Sequence, residues 1–218
     1  RVRRAAVRTH GEKCMKVLKM VAILSFLFLQ GCASSLMKPA DGSALVAPPG
    51  ENSRVVFLRP SSFGGAIQAS LFDITGDETR FIGVSSTGTQ VVHDVAPGRH
   101  RFMVVSEAAD FMEAELSPGQ TYYAVVTPRM GAWKARFSLW PIKAASENEF
   151  NWRNADVAKW IANARHVQNT PEGEAWFNAN RASIIEKQVD YLVVWNKKSA
   201  ADLAQRTLAP GDAFAAKP

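Results

Sequence analysis

The sequence predicts a mainly β protein: an antiparallel β-sandwich of about seven to eight strands over residues 54–142, followed by a helical C-terminal segment over residues 143–218. Three observations carry that prediction. Short apolar runs recur between turn signals at intervals of about 8–12 residues, the rhythm of a sandwich. Trp133-Lys134-Ala135-Arg136-Phe137-Ser138-Leu139 alternates apolar and polar residues, the period-two signature of a half-buried strand. After Pro141 the apolar spacing changes to three and four residues, the period of a helix.

The chain opens with a segment that is not part of this fold. Residues 1–14 are strongly basic and precede Met15, and they read as an upstream extension outside the protein proper. Residues 15–31 have the layout of an export signal, with cationic Met15-Lys16-Val17-Leu18-Lys19 followed by an apolar run from Met20 to Leu29. That run is too short for a permanent membrane span, which needs about 20 residues. It ends in Leu29-Gln30-Gly31-Cys32, which resembles the bacterial lipobox, with Leu29 and Gly31 at the positions read by the processing peptidase. The resemblance implies diacylglycerol on the Cys32 thiol, cleavage before Cys32 and acylation of the new amino group. More than one acyl chain is then present, and stable anchoring requires that, because a single chain binds a bilayer only marginally. Ala33 and Ser34 follow the cysteine, and Ala33 occupies the position where an inner-membrane retention signal places Asp. The expectation is an outer-membrane lipoprotein facing the periplasm. Residues 32–53, rich in Ala, Ser, Pro and Gly, read as a lipidated tether.

The predicted strands follow in order. Val55–Arg59 is stopped by Pro60, and Ala66–Ile74 ends at the turn Thr75-Gly76-Asp77. Phe81–Val84 is separated from Gln90–Val95 by Ser85–Gly88, read as a hairpin loop. Pro97-Gly98 precedes His100–Val105, Phe111–Leu116 follows, and Pro118-Gly119 leads into Thr121–Thr127 and then Trp133–Leu139. In the tail, Asn154 is an expected N-cap for a helix carrying Val157, Trp160, Ile161 and Ala164. Thr170-Pro171 marks a second helix start, cap then proline. That helix extends to about Trp195, with Ala175, Ala182, Val189, Ile185 and Leu192 on one heptad-like stripe, although Val189–Trp195 alone also suits a strand. A third, short helix is expected between Ser199 and Pro210-Gly211.

Charge and cysteines exclude several functions. Of the 26 Lys and Arg residues, seven lie in residues 1–31, which hold one of the 20 acids, so 19 of each sign remain from Cys32 onward. A nucleic-acid binder needs a cationic surplus to displace phosphate counterions, and this chain has none there. The two cysteines, Cys14 and Cys32, both precede the fold, which excludes a thiolate metal site or cysteine nucleophile within it.

The run Val55-Val56-Phe57-Leu58-Arg59-Pro60 and the turns Val95-Ala96-Pro97-Gly98-Arg99-His100 and Leu116-Ser117-Pro118-Gly119-Gln120-Thr121-Tyr122-Tyr123 resemble an uncharacterised family of bacterial β-sandwich lipoproteins. The resemblance covers roughly residues 52–142 and implies a fold similar to the carboxypeptidase regulatory-like domain. It implies no activity and no catalytic residue.

No chemical motif stands out. His93, His100 and His166 lack metal-ligand spacing. Gly83-Val84-Ser85-Ser86-Thr87-Gly88 lacks the spacing of a nucleophile elbow, and Ser61-Ser62-Phe63-Gly64-Gly65 lacks the lysine of a phosphate loop. Glu113 and Glu115 share a strand face, as solvated acids commonly do. Trp152, Trp160, Trp176 and Trp195 either fasten the tail to the sandwich or form a partner surface. The sequence therefore points to a non-enzymatic binding or scaffolding module of the bacterial envelope, with no metal and no cofactor, held to the bilayer by Cys32 and acting on an envelope protein. The alternatives are an anchor subunit of an envelope-spanning machine such as a secretion system, and a hydrolase of cell-wall or lipid substrates.

Overall fold

The computed structural model describes residues 36–41, 48, 50–65, 67–129 and 136–215. Leu29, Gly31, Cys32 and Trp133 lie outside the described residues, as does most of the predicted tether.

Eleven strands occur among the described residues. They are β1 (Met37–Pro39), β2 (Ser53–Arg59), β3 (Ala69–Asp73), β4 (Arg80–Ser85), β5 (Thr89–Val95), β6 (Gly98–Val105), β7 (Ala109–Leu116), β8 (Thr121–Arg129), β9 (Arg136–Pro141), β10 (Arg165–Asn169) and β11 (Thr207–Leu208). Three α-helices follow β9 in the chain: α1 (Ala155–Asn163), α2 (Pro171–Trp195) and α3 (Ala200–Gln205). One sheet has the order β1-β10-β5-β2-β8-β9 and the other β11-β7-β6-β3-β4.

The protein is mainly β, as expected, but its sheets are mixed rather than antiparallel. β2 runs parallel to β8, β10 to β5, and β11 to β7. For β2 and β8 parallel pairing goes with coverage. All seven residues of β2 are buried, because one face of its sheet meets the other sheet and the opposite face is covered by the tail. Strands buried on both faces carry continuous apolar runs, as the parallel neighbours Val55–Leu58 and Tyr122–Val126 do, whereas β10 and β11 join their sheets in parallel at less covered positions.

The inter-sheet core sets Val55, Phe57, Tyr122, Ala124 and Leu139 against Leu71, Phe102, Val104 and Met112. Phe57 and Phe102 bridge the sheets edge to face, with ring centroids 5.4 Å apart. On the outside of the first sheet, Val56, Leu58, Tyr123 and Val125 receive Phe150 and, from α1, Val157 and Ile161. On the outside of the second, Phe72, Met103, Val105 and Phe111 receive Phe177, Ile184 and Trp195 of α2.

The tail is thus woven into the fold and supplies strands as well as helices. β10 fills the gap between β1 and β5, and β11 edges β7. β1 itself falls in the stretch read as a tether: Met37 pairs with Asn169, and its Sδ accepts the Val84 N–H at 3.1 Å. Ser85–Gly88 does not close a hairpin, since β4 and β5 belong to different sheets. The helix starts are where the caps place them. Asn154 accepts from Asp156 N–H, and Thr170 accepts from Gly173 N–H with Pro171 opening the helix. Val189–Trp195 is helical.

Candidate functional site

Two places in the fold bring together side chains worth weighing: a carboxylate between two histidines, and the outer face of α2.

Asp73, at the end of β3 with 2 % of its side chain exposed, lies 3.4 Å from His93 Nε2 and 3.7 Å from His100 Nδ1. Its Oδ1 accepts from the Thr75 hydroxyl at 2.5 Å and from the Thr75 N–H at 2.9 Å. Burial by itself would push this carboxyl up, but the hydrogen bonds from His100, His93 and Thr75 outweigh it and hold Asp73 well below the usual carboxylate range. The cluster borders an open depression of about 390 Å³ rimmed by Arg99, Arg101, Glu113 and Glu115.

Its residue types are those of a hydrolytic relay, but its order is not. In such a relay the imidazole stands between the nucleophile and the acid and takes the proton of the nucleophile. Here the Thr75 hydroxyl donates directly to Asp73 and lies 3.2 Å from His100 Nδ1, the same ring nitrogen that faces Asp73, while His100 Nε2 is turned to the Ala96 carbonyl at 2.8 Å, so the imidazole does not stand between hydroxyl and acid. The carboxylate sits at the centre and joins β3, β5 and β6. Glu113 is paired with Arg101 at 2.6 Å, consistent with the reading of the two glutamates as surface acids. Among the described residues no group of three His, Cys, Asp or Glu side chains has metal-binding geometry.

The four tail tryptophans are spent on packing to different degrees. Trp195 is 2 % exposed and lies against Phe111 and Tyr191, with centroids at 5.7 and 6.5 Å. Trp176 meets Phe81 at 5.8 Å, and Trp160 meets Phe150 at 6.3 Å. Trp152 packs edge-on against Tyr123 and donates its Nε1–H to the Asp212 carbonyl at 3.0 Å. Each is buried or half-buried, so they do not compose one open aromatic surface.

The exposed apolar surface lies elsewhere. α2 turns Phe177, Ile184 and half-buried Tyr191, spaced by seven, onto the second sheet. The predicted stripe Ala175–Ala182–Val189, with Ile185 and Leu192 beside it, is rotated by about 160° from that line at 3.6 residues per turn. It therefore faces outward, a direction that the heptad-like spacing alone does not give. Val189 is 57 % exposed, Val193 55 %, Ile185 39 % and Leu192 36 %. No described helix is long and apolar enough to cross a membrane.

These features define a two-sheet β-sandwich wrapped by its own C-terminal helices, with one helix apolar on both sides. Comparison with protein-family models and with curated proteins returns no match to this chain.

Proposed function

We propose that the chain is a lipid-anchored, non-enzymatic binding or scaffolding module of the bacterial envelope, and that it binds through the outer face of α2. The observation that carries this reading is the exposed line of Ile185, Val189, Leu192 and Val193. A helix that is apolar on both sides is ordinarily buried on both, and here the described residues cover only one. The anchor is Cys32 with its flanking Leu29 and Gly31, and Ala33 and Ser34 favour the outer membrane with the domain in the periplasm. The balanced charge from Cys32 onward supports a protein partner over nucleic acid. The likeness of the Val55–Pro60 run and the two Pro-Gly turns to β-sandwich lipoproteins supports the same setting. An anchor subunit of an envelope-spanning assembly would use the same face.

The test has two arms in cells making the whole chain. Metabolic labelling with palmitate is expected to mark the wild type and not Cys32→Ala; an unlabelled wild type rejects the anchor. A photo-reactive residue at Val189 is expected to cross-link to protein, while one at exposed Glu78, in the turn before β4, is not. Absence of any protein adduct at Val189 rejects the binding face.

A further inference from the structure

We propose that the occupant of the α2 face is a second copy of this chain, paired antiparallel along α2; the proposal rests on the reading of that face as the binding surface. Four features of the helix point to it.

The first is spacing. Ala175, Ala182 and Val189 recur every seven residues, and Asn178, Ile185 and Leu192 recur every seven at an offset of three, all on the solvent side. This is the a/d seam of a helix that pairs with another helix. From Ala175 to Leu192 it extends about 25 Å at 1.5 Å per residue.

The second is size. The seam is small at its amino-terminal end (Ala175, Ala182) and branched at its carboxyl-terminal end (Ile185, Val189, Leu192). A parallel pair would stack alanine on alanine, leaving a gap at one end. An antiparallel pair sets Ala182 against Ile185 of the second copy, Ala175 against Leu192, and Asn178 against Val189, so every layer combines a smaller with a larger side chain. Complementary volumes of this kind are what close packing requires.

The third is charge. The first turn carries Glu172 and Glu174, and Lys197 and Lys198 follow the last. Antiparallel pairing brings the acidic end of each helix to the basic end of the other and opposes the two macrodipoles, whereas parallel pairing brings like charges together.

The fourth distinguishes a protein from a bilayer. Helices that lie on membranes flank their apolar face with Lys and Arg and bury aromatic rings. This seam is flanked by Glu174, Arg181 and Glu186 and contains no aromatic residue.

The test uses the full chain with Cys14→Ser and Cys32→Ser, so that thiols occur only where introduced. Sedimentation equilibrium is expected to show concentration-dependent doubling of the chain mass. Val189→Asp is expected to weaken association at least tenfold while leaving unchanged the thermal unfolding midpoint read at concentrations too low for association, because Val189 is 57 % exposed and belongs to none of the buried clusters. With a short bismaleimide, a mixture of Ala175→Cys and Leu192→Cys chains is expected to give the mixed dimer, and Ala175→Cys alone to give little. Cross-linking of Ala175→Cys to itself in preference to the mixture overturns the antiparallel arrangement. A chain that stays monomeric at every concentration overturns self-association. In that case a Val189 photo-adduct with another protein leaves the binding-module reading intact, Val189-dependent sedimentation with phospholipid vesicles assigns the face to a bilayer, and the absence of both results rejects both proposals.

Discussion

Arg206→Met is expected to be among the most destabilising single changes in this protein, and the reason is local. Asp110 on β7 has 1 % of its side chain exposed, and Arg206, between α3 and β11, has 7 %. The Asp110 carboxylate accepts from the Arg206 guanidinium, from the Tyr191 hydroxyl on α2 and from the Leu139 N–H on β9 at 3.1 Å. Arg206 also donates to the Phe111 carbonyl at 3.3 Å and lies over the Trp140 ring at 4.3 Å from its centroid. Burial, and then the neighbouring Asp110 charge, push the Tyr191 phenol far above its ordinary value, so it stays a donor to the carboxylate. Methionine keeps the stem of Arg206 but removes its charge, leaving the buried carboxylate with two neutral donors and with half-exposed Arg129 at 4.0 Å as its one remaining cation among the described residues. Breaking a buried pair from one side costs about 3–5 kcal/mol. In a chain of this size that corresponds to a fall of roughly 6–20 °C in Tm. Urea denaturation followed by tryptophan fluorescence measures it, with a shift in midpoint at constant slope expected. The double variant Asp110→Asn/Arg206→Met is expected to lose less than the sum of its singles, because the second change removes the stranded charge. A loss under about 1 kcal/mol for Arg206→Met, or strict additivity in the double, would refute the reasoning.

Three further outcomes follow from the same packing. A chain ending at Lys143 loses β10, β11 and the Phe177, Ile184 and Trp195 cover of the second sheet, and it is expected to lack a cooperative melt; a melt at the temperature of the full chain would show that the tail is an appendage. Gly173→Ala is expected to cost about 1–3 kcal/mol by overpacking, since an added Cβ would meet Leu36 O at 2.7 Å and the Asn169 side chain closer still; a melt unchanged from wild type contradicts that contact. The depressed Asp73 carboxyl contributes stability that is complete above the unfolded value of about 3.9 and is lost as pH falls below it toward the folded value. Stability measured from pH 6 to 2 is therefore expected to fall more steeply in the wild type than in Asp73→Asn, and equal slopes would remove Asp73 from the account.

What was legible in the sequence divides by the range of the interaction. The eight strands from Val55 to Leu139 were legible because each is bounded by local turn chemistry, as at Pro97-Gly98 and Pro118-Gly119, where Gly119 takes φ +69°. The caps Asn154 and Thr170 were legible for the same reason. The strands β1, β10 and β11 were not. β10 has one apolar residue, Val167, in five, and β11 is two residues long. Both pair in parallel across large sequence separations, which requires no tight turn and leaves no local signal. The Asp73 cluster was hidden similarly, since its members come from three strands and acquire meaning only when β3, β5 and β6 converge.

α2 is the instructive case, because its pattern was read and its direction was not. The sequence contains two seven-residue lines on this helix, Ala175–Ala182–Val189 and Phe177–Ile184–Tyr191, and periodicity alone cannot say which one faces the sheet. The second carries more buried surface per residue through its rings, and Phe177 stacks on Phe81 at 5.6 Å while Tyr191 meets Phe111 edge-on at 4.9 Å. The aromatic line therefore takes the intramolecular contact. The aliphatic line is left with heptad spacing, exposed Val189 and Ile185, and no contact within the described fold that accounts for its being apolar. Folding of the described residues explains one face of α2; the other is the face for which association is proposed, which is why the experiments on Val189 bear on function and those on Arg206 bear on stability.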